Sequence, residues 1–88
     1  MTYTVTIAAS VRRYVRRLAP RNQAQVVSRI EMLAADPYDR SVSKPLKGPL
    51  EGKRSSDLNS LRIIYEVDDT IRVLDVIDIG PRGDIYKR

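Results

Sequence analysis

The chain of 88 residues contains neither histidine nor cysteine. Without cysteine there is no disulfide framework, and this absence favours a cytosolic location. Without histidine the chain lacks the side chain that most often moves protons near neutral pH. The two absences, together with scattered carboxylates, argue against a bound metal or other cofactor. Chemistry on a phosphate would therefore have to use guanidinium, ammonium and phenol groups.

Long apolar runs are also missing from the sequence. None is long enough to span a bilayer, and the first residues lack a signal-peptide pattern, so we expect no membrane partner. There is no internal repeat and no low-complexity segment, and the apolar fraction of 42% is ordinary for a globular fold. A chain this short has room for one core, which predicts a single domain over residues 1–88.

Positive charge is abundant and unevenly placed. The formal net charge is +5. Residues 1–36 hold six arginines and two acids, whereas the remainder holds ten basic and nine acidic residues. Guanidinium groups match phosphate oxygens two at a time, so this bias favours a phosphate-bearing partner. The simpler interpretation is a solvated helix face that keeps a small protein soluble.

The first half of the chain predicts a strand and two helices. Residues 3–7 alternate and are rich in β-forming side chains, as in an opening strand. From Ala9 the apolar residues recur at helical spacing. Pro20 stands where a second helix would begin, and Asp36-Pro37 ends it. These two helices should form a hairpin that covers one face of a sheet.

The second half predicts strands. Residues 37–52 form a connector punctuated by proline and glycine. Residues 61–67 alternate as a strand with one apolar face, and residues 71–79 form a nearly apolar strand that should be central. The tail, residues 82–88, is either an edge strand or irregular. The predicted fold is α+β, in the order β-α-α-β-β-β, with a helical hairpin packed on a twisted, mainly antiparallel sheet.

Three segments in this order resemble the RelE/ParE superfamily of bacterial toxin–antitoxin toxins. They are the Leu-Lys-Gly-Pro-Leu connector at residues 46–50, the Arg-Ile-Ile-Tyr strand at residues 62–65, and the terminal Gly80-x-Arg82 with Tyr86. The opening strand and basic helical pair complete the resemblance, which covers essentially the whole chain. It implies a RelE-like fold.

The resemblance implies two functions that one fold can serve. RelE-type members are ribosome-dependent endoribonucleases that cut mRNA in the decoding site, whereas ParE-type members poison DNA gyrase. In either case a cognate antitoxin, encoded nearby, is the neutralising partner. We favour the mRNA nuclease, with the ribosome and mRNA as further partners. The alternatives are a gyrase poison without nuclease activity and a catalytically degraded toxin that mainly binds its antitoxin.

The resemblance also assigns candidate catalytic residues. It implies that Arg62 and Arg82 clamp the scissile phosphate, that Lys53 or Arg54 assists them, and that Tyr86 orients or stacks on a base or moves a proton. Each has a simpler interpretation. Arg62 would be the ion-pair partner of one of two acids on the same sheet, Glu66 or Asp75. Arg82 would be a solvent-exposed arginine after Gly80-Pro81, and Tyr86 would pack its ring on the sheet edge.

The chain departs from the family where basic residues usually alternate. Here Lys53 and Arg54 are adjacent, so only one of them can face the site. Ser55 follows, as a neutral candidate for a hydrogen bond to phosphate, and Asp57 adds a negative charge. These departures motivate the degraded-toxin alternative.

The first helix carries a second candidate binding surface. Four arginines come in i, i+4 pairs on its outward flank: Arg12, Arg13, Arg16 and Arg17. Such a patch suits ribosomal RNA phosphates, to which it would add salt-sensitive affinity. It equally suits an acidic or amphipathic antitoxin segment that folds on binding.

Overall fold

The computed structural model describes residues 2–82, a two-helix layer on one five-stranded sheet. In chain order the elements are β1 Thr4–Ile7, α1 Ala9–Arg16, α2 Pro20–Ala35, β2 Lys44–Pro45, a 3₁₀ turn Gly48–Leu50, β3 Arg54–Leu58, β4 Leu61–Asp68 and β5 Val73–Pro81. The sheet order is β1-β5-β4-β3-β2, in which β1 and β5 are parallel and all other pairs antiparallel. The α+β fold and its mainly antiparallel sheet are confirmed.

The start of α1 at Ala9 and both ends of α2 lie where the sequence predicts. Pro20 occupies the first turn of α2, where its missing N–H has no helical acceptor to reach. The helix ends at Ala35, because Asp36 before Pro37 takes an extended conformation. Between the helices, the Gln23 side-chain amide donates 2.8 Å to the carbonyl of Leu18. Neither helix combines the length and apolar character needed to cross a membrane.

The main core lies between the helices and one face of the sheet, here called the helix face. Nine apolar residues are buried there: Val11, Val26, Ile30, Leu33, Ile63, Tyr65, Leu74, Val76 and Ile79. Because side chains alternate along a strand, the other face of β4 presents Arg62 and Ile64. We call that side the open face. Its only buried apolar cluster in the described chain is Leu46 with Ile64, flanked by Leu50 and Ile77.

The connector is more ordered than the sequence predicts. Within residues 37–52 lies β2, and the backbone N–H groups of Leu46 and Lys53 donate to the carbonyls of Lys53 and Leu50 at 2.9 and 3.1 Å. No periodic pattern predicts β3, because its residues Arg-Ser-Ser-Asp-Leu do not alternate between apolar and polar. Its strand conformation is imposed by pairing with β4, and Ser55 and Ser56 are both buried.

The strand predicted over residues 71–79 begins later than expected. The Asp68 carboxylate accepts hydrogen bonds from the N–H groups of Thr70 and Ile71, and Arg72 has a φ of 54°. These contacts extend the turn, leave the Ile71 side chain exposed, and delay the start of β5 to Val73. As predicted, β5 is an interior strand, between β1 and β4. The predicted tail lies mostly outside the described residues.

Candidate anion-binding site

Three basic side chains surround one carboxylate on the open face. The Arg62 guanidinium donates to both Asp57 oxygens, from Nε at 2.6 Å and from Nη2 at 3.0 Å. Arg82 Nη2 lies 3.5 Å from Asp57 Oδ2, and Lys44 Nζ lies 3.9 Å from the same oxygen. We call these four residues the Asp57 cluster. It places two guanidinium groups and an ammonium group around a single anion.

Strand register brings the cluster together. Asp57 and Arg62 are direct cross-strand partners in β3 and β4, and Arg62 in turn pairs with Gly80 of β5. Arg82, two residues beyond Gly80, therefore points to the same side of the sheet. Its backbone N–H donates 2.9 Å to the Ser60 carbonyl in the β3–β4 turn. Lys44 arrives from β2, where it pairs with Ser55, two residues before Asp57.

The Arg29 side chain, on the helix face, stabilises the strand that carries Asp57. Arg29 of α2 donates from Nη1 to the Asp57 carbonyl at 2.7 Å and to Ser56 Oγ at 2.9 Å. Arg29, one of the six arginines of residues 1–36, therefore fixes the backbone of β3. It leaves the Asp57 side chain to the open face.

A buried polar network fixes the segment that delivers Lys44. The Tyr65 hydroxyl donates 2.6 Å to the Pro37 carbonyl and is hydrogen-bonded to Ser43 Oγ. Arg54 Nε also donates to Ser43 Oγ, at 2.9 Å. Tyr65 is fully buried, so the network ties the residue preceding Lys44 to the main core.

The four side chains of the Asp57 cluster differ in solvent exposure. The Arg62 side chain is 9% exposed and that of Asp57 27%, whereas those of Arg82 and Lys44 are 53% and 56% exposed. The Arg62 hydrogen bonds hold the pKa of Asp57 below its usual value, with help from the charges of Lys44 and Arg82 and against partial burial. Asp57 is consequently ionised at neutral pH.

A groove of about 660 Å³ leads to Arg62 along the open face. Its floor is the apolar cluster of Leu46, Leu50, Ile64 and Ile77, and its polar lining comprises Lys44, Lys47, Arg62 and Asp78. The pairing of β4 with β5 is irregular between Ile64 and Tyr65. Ile64 pairs with Asp78 and Tyr65 pairs with Val76, so Ile77 is an extra residue of β5 without a partner in β4. The bulge turns both Ile77 and Asp78 towards the groove. The groove is apolar underneath and basic at the end nearest the cluster.

Lys53 and Arg54 point to opposite faces, as strand alternation predicts. Lys53 is on the open face, 3.5 Å from Glu66. It lies four residues from Asp57, about 13 Å along the strand, so the structure does not bring it to the cluster. Arg54 is on the helix face, where its guanidinium lies 5.0 Å from the centre of the Tyr38 ring.

The simpler interpretation of Arg62 was right about an ion pair and wrong about the partner. Glu66 contacts Lys53, and Asp75 accepts a hydrogen bond from Thr6 Oγ at 2.9 Å. The bidentate partner is Asp57, which sequence reasoning had noted only as an unfavourable charge. Ser55 lies on the open face but is completely buried, and its Oγ has no hydrogen-bond partner among residues 2–82.

Lys44 is the cluster residue that sequence reasoning missed. It stands in a segment interpreted as a connector, so nothing marked it as a strand residue. The usable signal was Pro45, because a residue before proline is biased towards an extended conformation. An extended Lys44 opposite β3 takes the position near the cluster that the sequence had assigned to Lys53.

The arginines of α1 and Arg17, the residue that follows it, form a separate surface. All four side chains are exposed, and none makes an ion pair within the described range: Arg12, Arg13, Arg16 and Arg17. Because α1 packs on the helix face, the sheet stands between these arginines and the Asp57 cluster. Tyr86 lies outside the described residues. Among residues 2–82 no three carboxylates converge as a metal site would require.

Known proteins are similar to this chain in sequence and in fold. A family model described as the ParE toxin of the type II toxin–antitoxin system parDE matches residues 2–86. Toxin RelG of Mycobacterium tuberculosis is 34% identical over 89 residues, with both chains covered in full. Toxin RelE of the same organism is 30% identical over 86 residues, covering 97% of this chain and 87% of the relative.

Solved structures of toxin–antitoxin complexes are similar to this chain in fold. The toxin–antitoxin complex RelBE2 of Mycobacterium tuberculosis superposes with a TM-score of 0.81 at 30% identity, covering 93% of this chain and 100% of the other. The archaeal RelE–RelB complex of Pyrococcus horikoshii gives a TM-score of 0.82 at 25% identity, covering 94% and 98%. The chain therefore belongs to the RelE/ParE family of toxins of type II toxin–antitoxin systems.

Proposed function

We propose that this toxin is a ribosome-dependent mRNA endoribonuclease whose phosphate site is the Asp57 cluster. The observation that carries the proposal is that Arg62 and Arg82 reach the same carboxylate, with Arg62 donating to both of its oxygens. An anion at that position is contacted by two guanidinium groups, which are suited to stabilise the charge of a scissile phosphate. The relatives named RelE and RelG support a RelE-type activity.

The chemistry follows from the groups present. Attack by the 2′-hydroxyl on the neighbouring phosphate builds negative charge on the phosphate oxygens, and fixed cations stabilise that charge most where water is excluded. Arg62 is nearly buried at the inner end of the groove, and Arg82 and Lys44 face solvent beside it. Tyr86, four residues beyond Arg82, remains the candidate for stacking on a base or moving a proton. No cofactor enters the proposal.

A cognate antitoxin is the proposed neutralising partner, and the helix side offers a surface for it. Next to Arg12 and Arg16 is an apolar cavity of about 280 Å³, whose lining includes Ile7, Val15 and Val27. Val27 is 53% exposed, and β1 is an edge strand. Positive charge beside apolar surface suits an acidic, amphipathic segment. Two of the superposed structures are complexes of a toxin with its antitoxin.

The second candidate function is gyrase poisoning without nuclease activity. It is favoured by one observation, that the matching family model is that of a ParE toxin. In that case the open-face cations would contact protein or DNA without cleaving RNA. The degraded-toxin alternative is motivated by Asp57, because a carboxylate already neutralises part of the cluster.

The deciding experiment is induction of the chain in bacterial cells without its antitoxin. Primer extension on several mRNAs, with and without a block on their translation, is run beside a gyrase cleavage assay on the same cells. We expect cuts inside reading frames that require translation and that Arg82→Ala abolishes. Intact mRNA with trapped gyrase–DNA complexes would establish the second function instead. Normal growth with neither signal would identify a degraded toxin.

A further inference from the structure

We propose that the Asp57 carboxylate is an internal competitor for phosphate, and that a ligand's phosphodiester binds Arg62 and Arg82 by displacing it. The inference deepens the proposed function, on which it relies only for the identity of the ligand as RNA. It concerns how the open face selects among anions.

The first support is geometric. The two hydrogen bonds from Arg62 to Asp57 are the same two-pronged contact that a guanidinium makes with two phosphate oxygens. Arg82 contacts the second of those carboxylate oxygens. One anion cannot occupy this position while another remains there, so phosphate and Asp57 compete for the same donors.

The second support is that the carboxylate can leave while its strand stays in place. The Asp57 backbone is held by ladder pairing with β4 and by the Arg29 contact to its carbonyl. Its side chain is 27% exposed beside two cations that are more than half exposed. Rotation of the side chain towards solvent therefore releases Arg62 without breaking the sheet.

The third support is the distribution of charge around the site. Arg62, Arg82 and Lys44 face Asp57 from β4, from the end of β5 and from β2, and Arg40 lines a small adjoining cavity with it. Asp78 shares the groove with Arg62 but receives its own hydrogen bond from the Ile79 N–H. Asp57 is thus the carboxylate at the point where the cluster's cations converge.

This arrangement predicts selectivity between classes of anion. A small free anion must displace Asp57 with the contacts of one phosphate alone. A single strand of RNA brings further phosphates and bases, which Lys47 and the apolar floor of the groove can contact at the same time. Competition by the carboxylate lowers the affinity for every phosphate ligand, so only a ligand with these additional contacts binds at concentrations at which free phosphate and mononucleotides do not.

The test compares Asp57→Asn with Glu66→Gln. Both substitutions remove one negative charge from the open face, but Glu66 contacts Lys53 and lies outside the cluster. Sulfate and a six-nucleotide RNA are titrated into each purified protein while the Arg62 Nε–H signal is followed by NMR. Since charge-assisted bidentate contacts are strong, we expect Asp57→Asn to bind sulfate about tenfold more tightly than Glu66→Gln. Equal affinities would reduce Asp57 to a contribution to net charge and overturn the proposal.

A weaker affinity in Asp57→Asn would also overturn it, because Asp57 would then be positioning the arginines. If that variant does not fold, the wild-type protein supplies the answer through carbon-13 NMR of the Asp57 carboxyl. Saturating sulfate should raise the pKa of Asp57 towards its ordinary value as Arg62 is taken from it. An unchanged pKa with sulfate bound would contradict displacement. Both readouts concern binding, so failure of the nuclease proposal would appear separately, as intact mRNA in cells.

Discussion

The two faces of the sheet bury neighbouring residues for opposite reasons. Ile63 and Arg62 are adjacent in β4, and both are buried: the exposed fraction of the whole residue is 0% for Ile63 and 8% for Arg62. Ile63 is buried by apolar packing under the helices, whereas Arg62 is buried by strand pairing and an ion pair on the open face. The comparison shows that burial alone does not separate residues that maintain the fold from those available to a ligand.

The largest effect should come from truncating the helix face. Ile63→Ala removes a fully buried side chain from the main core, and such cavities cost about 2–5 kcal/mol of the free energy of unfolding. Ile77→Ala, on the partly exposed open face, is the matched control and should cost less. Urea denaturation of both variants measures the difference. Equal losses would mean that the two apolar clusters support the fold equally.

Arg82→Ala should separate function from stability on the open face. We expect RNA cleavage on the ribosome to fall about 100-fold, as when one fixed donor to transition-state charge is removed. The free energy of unfolding should change by less than about 0.5 kcal/mol, because the side chain is 53% exposed. Arg12→Ala is the control on the helix side and should leave cleavage nearly unchanged. Similar losses in both variants would refute the assignment of Arg82.

Acid should weaken the open face before the helix face. Arg62 lowers the pKa of Asp57 below its ordinary value of 3.8, so the folded state gains stability above that value. This stability is lost as the pH falls through the lower folded-state pKa. The free energy of unfolding should decline below about pH 4, and less steeply in Asp57→Asn. Asp39 and Asp69 also have lowered pKa values, so part of the slope should remain. If the free energy of unfolding falls equally steeply with acid in Asp57→Asn and in the wild-type protein, the Asp57–Arg62 ion pair does not contribute to the pH dependence of stability.

The smallest effect should arise at the far end of the sheet. Tyr38 donates to Asp69 at 2.6 Å, and Tyr3 donates to the other oxygen at 2.5 Å. The hydrogen bond raises the pKa of Tyr38 to about 12, so its stabilisation is present below pH 10 and disappears as the pH passes about 12. Tyr38→Phe should cost about 1 kcal/mol or less. The pKa of Tyr38 is measured from the difference in phenolate absorbance between the wild-type protein and the variant. A value near 10 would show that the Tyr38–Asp69 hydrogen bond is not formed in solution.

Sequence reasoning predicted the elements whose periodicity reflects burial on one side. The helical spacing predicted α1 and α2, alternation predicted β1 and β4, and a nearly continuous apolar run predicted most of β5. It missed β3 and β2, because their side chains contain little apolar pattern and their conformation depends on partners distant in the chain. Ser56 is buried on the helix face through a contact with Arg29, which no local pattern encodes.

The candidate site was predicted in part for the same reason. Alternation placed Arg62 on a strand face opposite the apolar residues, and the resemblance to a toxin family added Arg82. Register, which sequence alone did not provide, decided the rest. It put Asp57 opposite Arg62 and Lys44 beside Asp57, and it left Lys53 about 13 Å along β3. The role of the Asp57 cluster remains a prediction that the Arg82 and Asp57 variants test, and the role of Tyr86 also remains a prediction.

The position of β5 has a consequence for the chain during its synthesis. The strand is made after every other element described, yet it lies between β1 and β4, with Thr4 paired to Val73. A nascent chain therefore cannot join its first strand to the rest of the sheet until residues 73–81 have left the ribosome. Arg82 follows directly after this strand, so the step that closes the described sheet also completes the Asp57 cluster. A product of translation truncated before β5 would carry the basic helix but lack the completed Asp57 cluster.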